Sequence, residues 1–339
     1  MQAVPTYGRN LIQTLDKEFL ADCVVFCAPE AWEIVRGRFP GRPREVAVPR
    51  SMEQSVIEEQ IRAMPSAQTV LGFGGGSACD AAKMYAWMTG ARLILVPSIL
   101  SVDAPYTKAI GVRIDHRVRY VGEVVPAHLL IDFDLIQQAP PRLNRAGIGD
   151  ILSIYTALWD WRLASEQTGE TFDQATADRS RQLFDRMVRG AREIRDCSEQ
   201  GLRLLSELFI GEVALCEEFG NSRPEEGSEH YFAYCLESIT RKTYLHGELI
   251  AFAVILVSLY QEQPVDELIE FLREVGVEVR LERIGVSLPE VERALLALPE
   301  YLKQEKQLPF GIFHHRGASR DSVRALIDRL GGLYIIRRE

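Results

Sequence analysis

With 339 residues the chain is long for one hydrophobic core, and two domains are the expectation. Its 48 acidic residues outnumber 39 Lys and Arg, and a formal charge of −9 argues against the clustered basic face of a nucleic-acid binder. A hydrophobic share of 47% with 26% charged residues is that of a globular chain, not a disordered one.

The amino-terminal MQAVPTYGRNLIQTLDKEF has no apolar signal-peptide core, so a cytoplasmic location is expected. Asp22–Cys27 reads as a first strand and Glu30–Phe39 as a helix. Arg44–Pro49 reads as a second strand. Ser51 opens a helix, with Gln54 three residues on in a capping-box pattern and Val56, Ile57, Ile61 and Met64 on one face. Thr69–Phe73 is a third strand, and Asp80–Gly90 is a helix closed by Gly90. Arg92–Ser98 and His128–Ile136 are the fourth and fifth strands. Short apolar strands alternating with helices predict a parallel sheet covered on both faces.

After Pro140-Pro141 the strand signal fades. Leu183–Asp196, Leu202–Phe219, Gly247–Tyr260 and Val265–Gly276 have helical spacing, and Ser287 with Pro289 starts another helix. Polar Glu166–Asp178 reads as a loop. The expected organisation is an α/β Rossmann-like dinucleotide-binding domain over 1–141 and an all-helical domain over 142–339. The apolar run Leu249–Tyr260 is shorter than the ~20 residues of a membrane span. Six scattered cysteines without a CxxC pair read as buried free thiols.

Gly74, Gly75 and Gly76 lie between a strand and a helix. Backbone amides there can approach a pyrophosphate, with Ser77 donating a hydroxyl or capping the helix. The spacing is neither GxGxxG nor a Walker A loop, and a tight turn without a ligand explains it equally well. The segment after the fourth strand carries Ser98, Ser101, Asp103, Tyr106 and Lys108. It reads as a solvated loop or as a second wall of the same site.

GFGGGSACDAAK, VPSILSVDAP, RAGIGDILSIYTALWDWRLA, GNSRPEEGSEHYF and LHGE occur in that order. Together they resemble the metal-dependent polyol dehydrogenase superfamily of glycerol dehydrogenases, iron-type alcohol dehydrogenases and dehydroquinate synthases. GDILSIYTALWDWRLA and GNSRPEEGSEH are most similar to sn-glycerol-1-phosphate dehydrogenases. The resemblance implies a nucleotide domain, a helical domain and a metal in the cleft between them. It places the metal ligands, and with Asp103 the catalytic set, on Asp150, His230 and His246. Two imidazoles and a carboxylate suit Zn, with Ni or Fe as alternatives. NAD or NADP is implied at Gly74, Gly75, Gly76, Ser77, Asp80, Ser98, Ser101 and Tyr106. Asp103, Asn221 and Arg223 are the implied substrate contacts, with Arg241 and Lys242 as further phosphate candidates. Glu229 and Glu248 read either as orienting groups for the histidines or as exposed carboxylates. Lys83 reads as a solvated helix residue, and His314, His315 and Arg316 as solvated or near the cleft.

The expected activity is NAD(P)- and metal-dependent interconversion of dihydroxyacetone phosphate and glycerol 1-phosphate. The alternatives are a glycerol or other polyol dehydrogenase, or a carbocycle-forming lyase of the dehydroquinate-synthase type. Departures from the glycerol-phosphate pattern at Val102–Pro105, Tyr231 and Cys235 are expected to border the site. A small polyol or polyol phosphate and further copies of the same chain are the expected partners, with no nucleic acid and no membrane.

Overall fold

The computed structural model describes residues 4–333, so Met1–Ala3 of the amino-terminal stretch and residues 334–339 lie outside it. Two compact units emerge. The first runs up to Asn144 and takes in Asp196–Ser206; the second comprises Arg145–Arg195 and Glu207 onward.

The first unit holds β1 (Thr6–Gly8), β2 (Cys23–Cys27), β3 (Glu45–Ala47), β4 (Thr69–Gly74), β5 (Arg92–Pro97), β6 (Ala109–Ile114), β7 (Arg117–Glu123) and β8 (His128–Asp132). Its helices are α1 (Lys17–Ala21), α2 (Pro29–Val35), α3 (Gln54–Ala63), α4 (Gly76–Thr89) and α5 (Phe133–Ile136), and α6 (Pro141–Arg145) leads out of it. Six strands form one parallel sheet in the order β1-β8-β5-β4-β2-β3. Val24, Val25, Phe26, Val70, Leu71, Ile94 and Leu95 are fully buried, as strands covered on both faces require. Connections leave β2 and β4 in opposite directions, which makes the crevice at their carboxyl ends the ligand position of such a sheet.

Three local expectations are corrected. Glu53, not Ser51, is the N-cap of α3; Ser51 Oγ accepts from Glu53 N at 3.0 Å in a turn before it. The strand at His128 stops at Asp132, whose carboxylate accepts from Asp134 N at 3.1 Å and starts α5. The loop expected over Glu166–Asp178 shrinks to Gly169–Asp173, because Asp173 caps the next helix by accepting from Thr176 N at 2.7 Å. The antiparallel β6–β7 hairpin was not expected at all.

The second unit is helical: α7 (Ile148–Thr168), α8 (Gln174–Arg189) and α9 (Ala191–Arg195). α10 (Glu199–Phe219) enters it from the first unit. There follow α11 (Ser228–Thr240), α12 (His246–Tyr260), α13 (Asp266–Val275), α14 (Leu281–Ile284), α15 (Leu288–Gln304), α16 (Ile312–Arg316) and α17 (Arg320–Gly331). Among the described residues no helix is long and apolar enough to cross a membrane. All six cysteines are free.

Ser287 caps α15 in a true capping box. Glu290 accepts from Ser287 N at 2.9 Å and pairs with Lys242 Nζ at 2.7 Å. The Lys242 bond first, against burial and helped by Ser287, pulls the Glu290 pKa from 4.5 down to about 2. Its contribution is therefore complete at neutral pH and disappears as pH falls through that window. Glu290→Gln is expected to lower stability by about 1 kcal/mol at pH 7, discounted for the half-exposed lysine, with the difference vanishing near pH 2. Chemical denaturation across pH measures it.

Candidate functional site

The second unit brings Asp150, His230 and His246 together through one unusually close helix contact. A Cβ on Gly149 would lie 1.8 Å from the carbonyl oxygen of Gly247, so α7 and α12 touch backbone to backbone at their first turns. That contact sets Asp150 Oδ1 3.3 Å from His246 Nε2. α11 adds His230, whose ring centroid is 5.5 Å from that of His246. One ligand atom from each residue lies within 4.8 Å of the others.

Asp150 is 6% exposed, and neither of its carboxylate oxygens has a hydrogen-bond partner. An ionised carboxylate withdrawn from water without donors is strongly unfavourable unless a cation sits beside it. With two imidazoles alongside, the donor set fits a divalent transition metal with an open coordination position.

Glu229 settles one open reading. It is fully buried, and its Oε1 lies 2.9 Å from His230 Nδ1 and accepts from Gly227 N at 2.6 Å. Its Oε2 accepts from Thr156 Oγ1 at 2.6 Å. The carboxylate thus fixes the ring and leaves Nε2 for the cluster. Burial alone would lower the His230 pKa. The Glu229 bond and the charges of Glu226, Glu229 and Asp150 outweigh it and raise the value to about 9. Glu229→Gln is expected to weaken zinc affinity about 10- to 100-fold with the fold intact, as a metal-buffered titration would read. Glu248 is buried as well.

Asp160 escaped the sequence reading, though a carboxylate inside the apolar run ILSIYTALWDW was a signal. It is fully buried; Oδ2 accepts from Ser228 N at 2.8 Å, and Oδ1 from Ile312 N and Gln261 Nε2, each at 2.9 Å. It pins the first residues of α11 and α16. Burial, opposed by these bonds, raises its pKa to about 6.

In the first unit the glycine loop joins β4 to α4. Gly74 has φ +151°, and a Cβ on it would lie 2.9 Å from that of Ala78. Gly72, not singled out beforehand, lets α4 pack on β4: its Cβ would lie 2.9 Å from Ala82 Cβ and 3.1 Å from Cys79 Cα. The first amides of α4 have no intrahelical acceptor and form an anion-favouring end. Ser77 is exposed there, and Ser98 and Asp103 are partly exposed. Asp80 is held by Lys83, whose Nζ donates to Asp80 Oδ1 at 2.9 Å and to the Ala109 carbonyl at 2.8 Å. Lys83 is therefore fully buried, not solvated.

Ser101 and Tyr106 are buried at 5% exposure, and burial raises the Tyr106 phenol well above its usual range. Arg223 is fully buried, with Nε and Nη2 on Glu170 at 2.7 and 2.5 Å and Nη1 on the Phe310 carbonyl at 2.7 Å. It braces the loop through these three bonds. Asn221 Oδ1 accepts from Arg223 N at 3.0 Å and closes the same turn. Lys242 is taken by Glu290, and Arg241 caps α11 at φ 57°. Tyr231 and Cys235 are packed inside at 0% exposure. His314 stacks on Phe310, and its Nδ1 accepts from Gly311 N at 3.1 Å, while His315 and Arg316 are exposed. Arg223→Ala is expected to destabilise the chain by about 2 kcal/mol, reduced by the partial exposure of Glu170, without raising KM for a phosphorylated substrate. A thermal melt beside initial-rate kinetics tests both halves.

The chain matches the family model described as iron-containing alcohol dehydrogenase over residues 34–140. It is 35% identical to glycerol-1-phosphate dehydrogenase [NAD(P)+] of Hyperthermus butylicus, the alignment covering 68% of this chain and 66% of that one. It is 30% identical to the enzyme of the same name from Aeropyrum pernix, over 78% of this chain and 74% of that one. The chain belongs to the glycerol-1-phosphate dehydrogenase branch of the iron-containing alcohol dehydrogenase family. In fold this family member resembles a probable glycerol dehydrogenase from Sinorhizobium meliloti, with a TM-score of 0.73 at 20% identity over 98% and 99% of the two chains. Glycerol dehydrogenase from Schizosaccharomyces pombe gives a TM-score of 0.68 at 17% identity over 99% and 94%.

Proposed function

We propose that the chain reduces dihydroxyacetone phosphate to glycerol 1-phosphate with NADH or NADPH, at a divalent metal held by Asp150, His230 and His246. The observation that carries this is the buried Asp150 carboxylate, without a hydrogen-bond donor and facing two histidines, in a member of this family. Zinc is the proposed metal, from the nitrogen and oxygen donor set. When bound, the metal supplies Lewis-acid stabilisation of the substrate oxygen and the nicotinamide supplies hydride.

The chain's own residues prepare for this. Asp150 would contribute the negative charge, and a bound metal would displace the His230 proton so that the imidazoles act as neutral ligands. Glu229 holds the His230 ring through Nδ1, so Nε2 stays aimed at the cluster. The burial of Asp150 and His230 excludes water, which strengthens every charge interaction there. The glycine turn at Gly74–Ser77 is the proposed pyrophosphate seat, by its open amides and helix end.

A second reading, reduction of an unphosphorylated hydroxyketone, is favoured by one observation: the guanidinium of Arg223 is committed to Glu170 and Phe310. Initial rates of reduced-nicotinamide oxidation with added Zn²⁺ decide between them. A strong preference for dihydroxyacetone phosphate over dihydroxyacetone supports the first reading. Equal rates, or preference for the unphosphorylated ketone, support the second. No turnover with either, in metal-loaded protein, rejects both.

A further inference from the structure

One carboxylate caps two helices that cannot cap themselves. α11 and α16 each begin after a glycine, Gly227 and Gly311, and a glycine has no side chain to accept from the first amides. Asp160, on α7, takes that place for both. Its Oδ2 accepts from N of Ser228, the first residue of α11, at 2.8 Å. Its Oδ1 accepts from N of Ile312, the first residue of α16, at 2.9 Å. Gln261, at the end of α12, adds a third donor through Nε2 at 2.9 Å.

The two glycines are what admits the carboxylate. Their φ values of −146° and −141° suit any residue, so crowding and not backbone conformation requires them. A Cβ on Gly311 would run into Asp160 Oδ2 and lie 2.5 Å from Ser228 Oγ. One on Gly227 would lie 3.1 Å from Asp160 Oδ2. A cap residue with its own side chain at either place would displace the shared one.

The turn held in this way carries a metal ligand. Ser228, Glu229 and His230 are the first three residues of α11. Asp160 fixes Ser228 N, and Glu229 Oε1 fixes Gly227 N at 2.6 Å while lying 2.9 Å from His230 Nδ1. One turn before Asp160 on α7, Thr156 Oγ1 donates to Glu229 Oε2 at 2.6 Å. α7 therefore supplies Asp150 directly and governs His230 through two anchors on one face.

We infer that Asp160 is a positioning residue of the metal centre, a shared cap that keeps the first turn of α11, and with it His230, in register with the first turn of α16. The inference rests on reading Asp150, His230 and His246 as metal ligands.

Asp160→Asn keeps the shape but leaves one acceptor atom for two helix ends and turns an amide NH₂ toward the other. In the full chain it should weaken zinc about tenfold in a metal-buffered titration, with one ion per chain retained. With Co²⁺ in place of zinc the visible absorption bands should change shape. In metal-free protein the His230 Nδ1–H proton resonance should move, because the ring is no longer held against Glu229. Leu272→Ala, a fully buried change in α13, should lower the melting temperature with affinity and spectra at wild-type values. An Asp160→Asn protein that melts early, with zinc affinity, cobalt bands and the His230 resonance unchanged, has lost only a structural cap and overturns the inference. A wild-type chain that takes up no stoichiometric metal rejects the metal reading instead, and the His230 resonance of the metal-free protein still decides the role of Asp160. Should Asp160→Asn fail to fold, hydrogen exchange of the wild type decides. Zinc is expected to slow exchange over 311–316 together with 228–231, and more than over α13. Slowing confined to 228–231 overturns the shared cap.

Discussion

His246→Ala is expected to abolish stoichiometric metal binding and lower turnover about 10³-fold or more, the scale of several kcal/mol of lost charge stabilisation. Asp150 and His230 remain, but two ligands hold a divalent ion far less tightly than three. The side chain of His246 is 27% exposed at the first position of α12, and removing it opens no core cavity. Circular dichroism should therefore show a folded protein, while elemental analysis shows metal well below one per chain. An active His246→Ala protein with no metal would overturn the site.

Gly149→Ala should do comparable damage by another route. The added methyl would meet the Gly247 carbonyl oxygen at 1.8 Å, and that atom is backbone, which no rotamer change can move aside. α7 and α12 must separate by more than an ångström, carrying Asp150 away from His246. Alanine gains up to about 1 kcal/mol in helix propensity over glycine. The overlap costs about 3 kcal/mol or more, so the net sign is destabilising. A fall in melting temperature of several degrees together with weakened zinc binding is the expected result. A wild-type melt and wild-type zinc affinity would show that the helices do not meet this closely.

The difference between what the chain reveals as a string and what it reveals folded has local causes. Buried parallel strands are apolar runs, so β2, β4, β5 and β8 were legible, as were the long helices. The β6–β7 hairpin was missed because its turn is Asp115-His116 in left-handed conformation, without the Asn-Gly or Asp-Gly signal. No local spacing marks Asp150, His230 and His246, which come from three helices; only the family resemblance singled them out. Arg223 was ambiguous in the sequence because a guanidinium suits a phosphate and a carboxylate equally well, and only the fold brings Glu170 against it. The expected role of Asp103 rests on the resemblance.

Lys83 carries one more consequence. An ammonium with no solvent exposure, tied to Asp80 and to the first residue of β6, is shielded from amine-reactive reagents while α4 stays docked. Surface lysines such as Lys303 react at once, whereas Lys83 reacts only when the helix lifts. Its labelling rate, followed by peptide mass spectrometry, is therefore a built-in clock for local opening of the glycine-loop region, and slower labelling with NADH present would report how firmly a bound nucleotide holds that region shut.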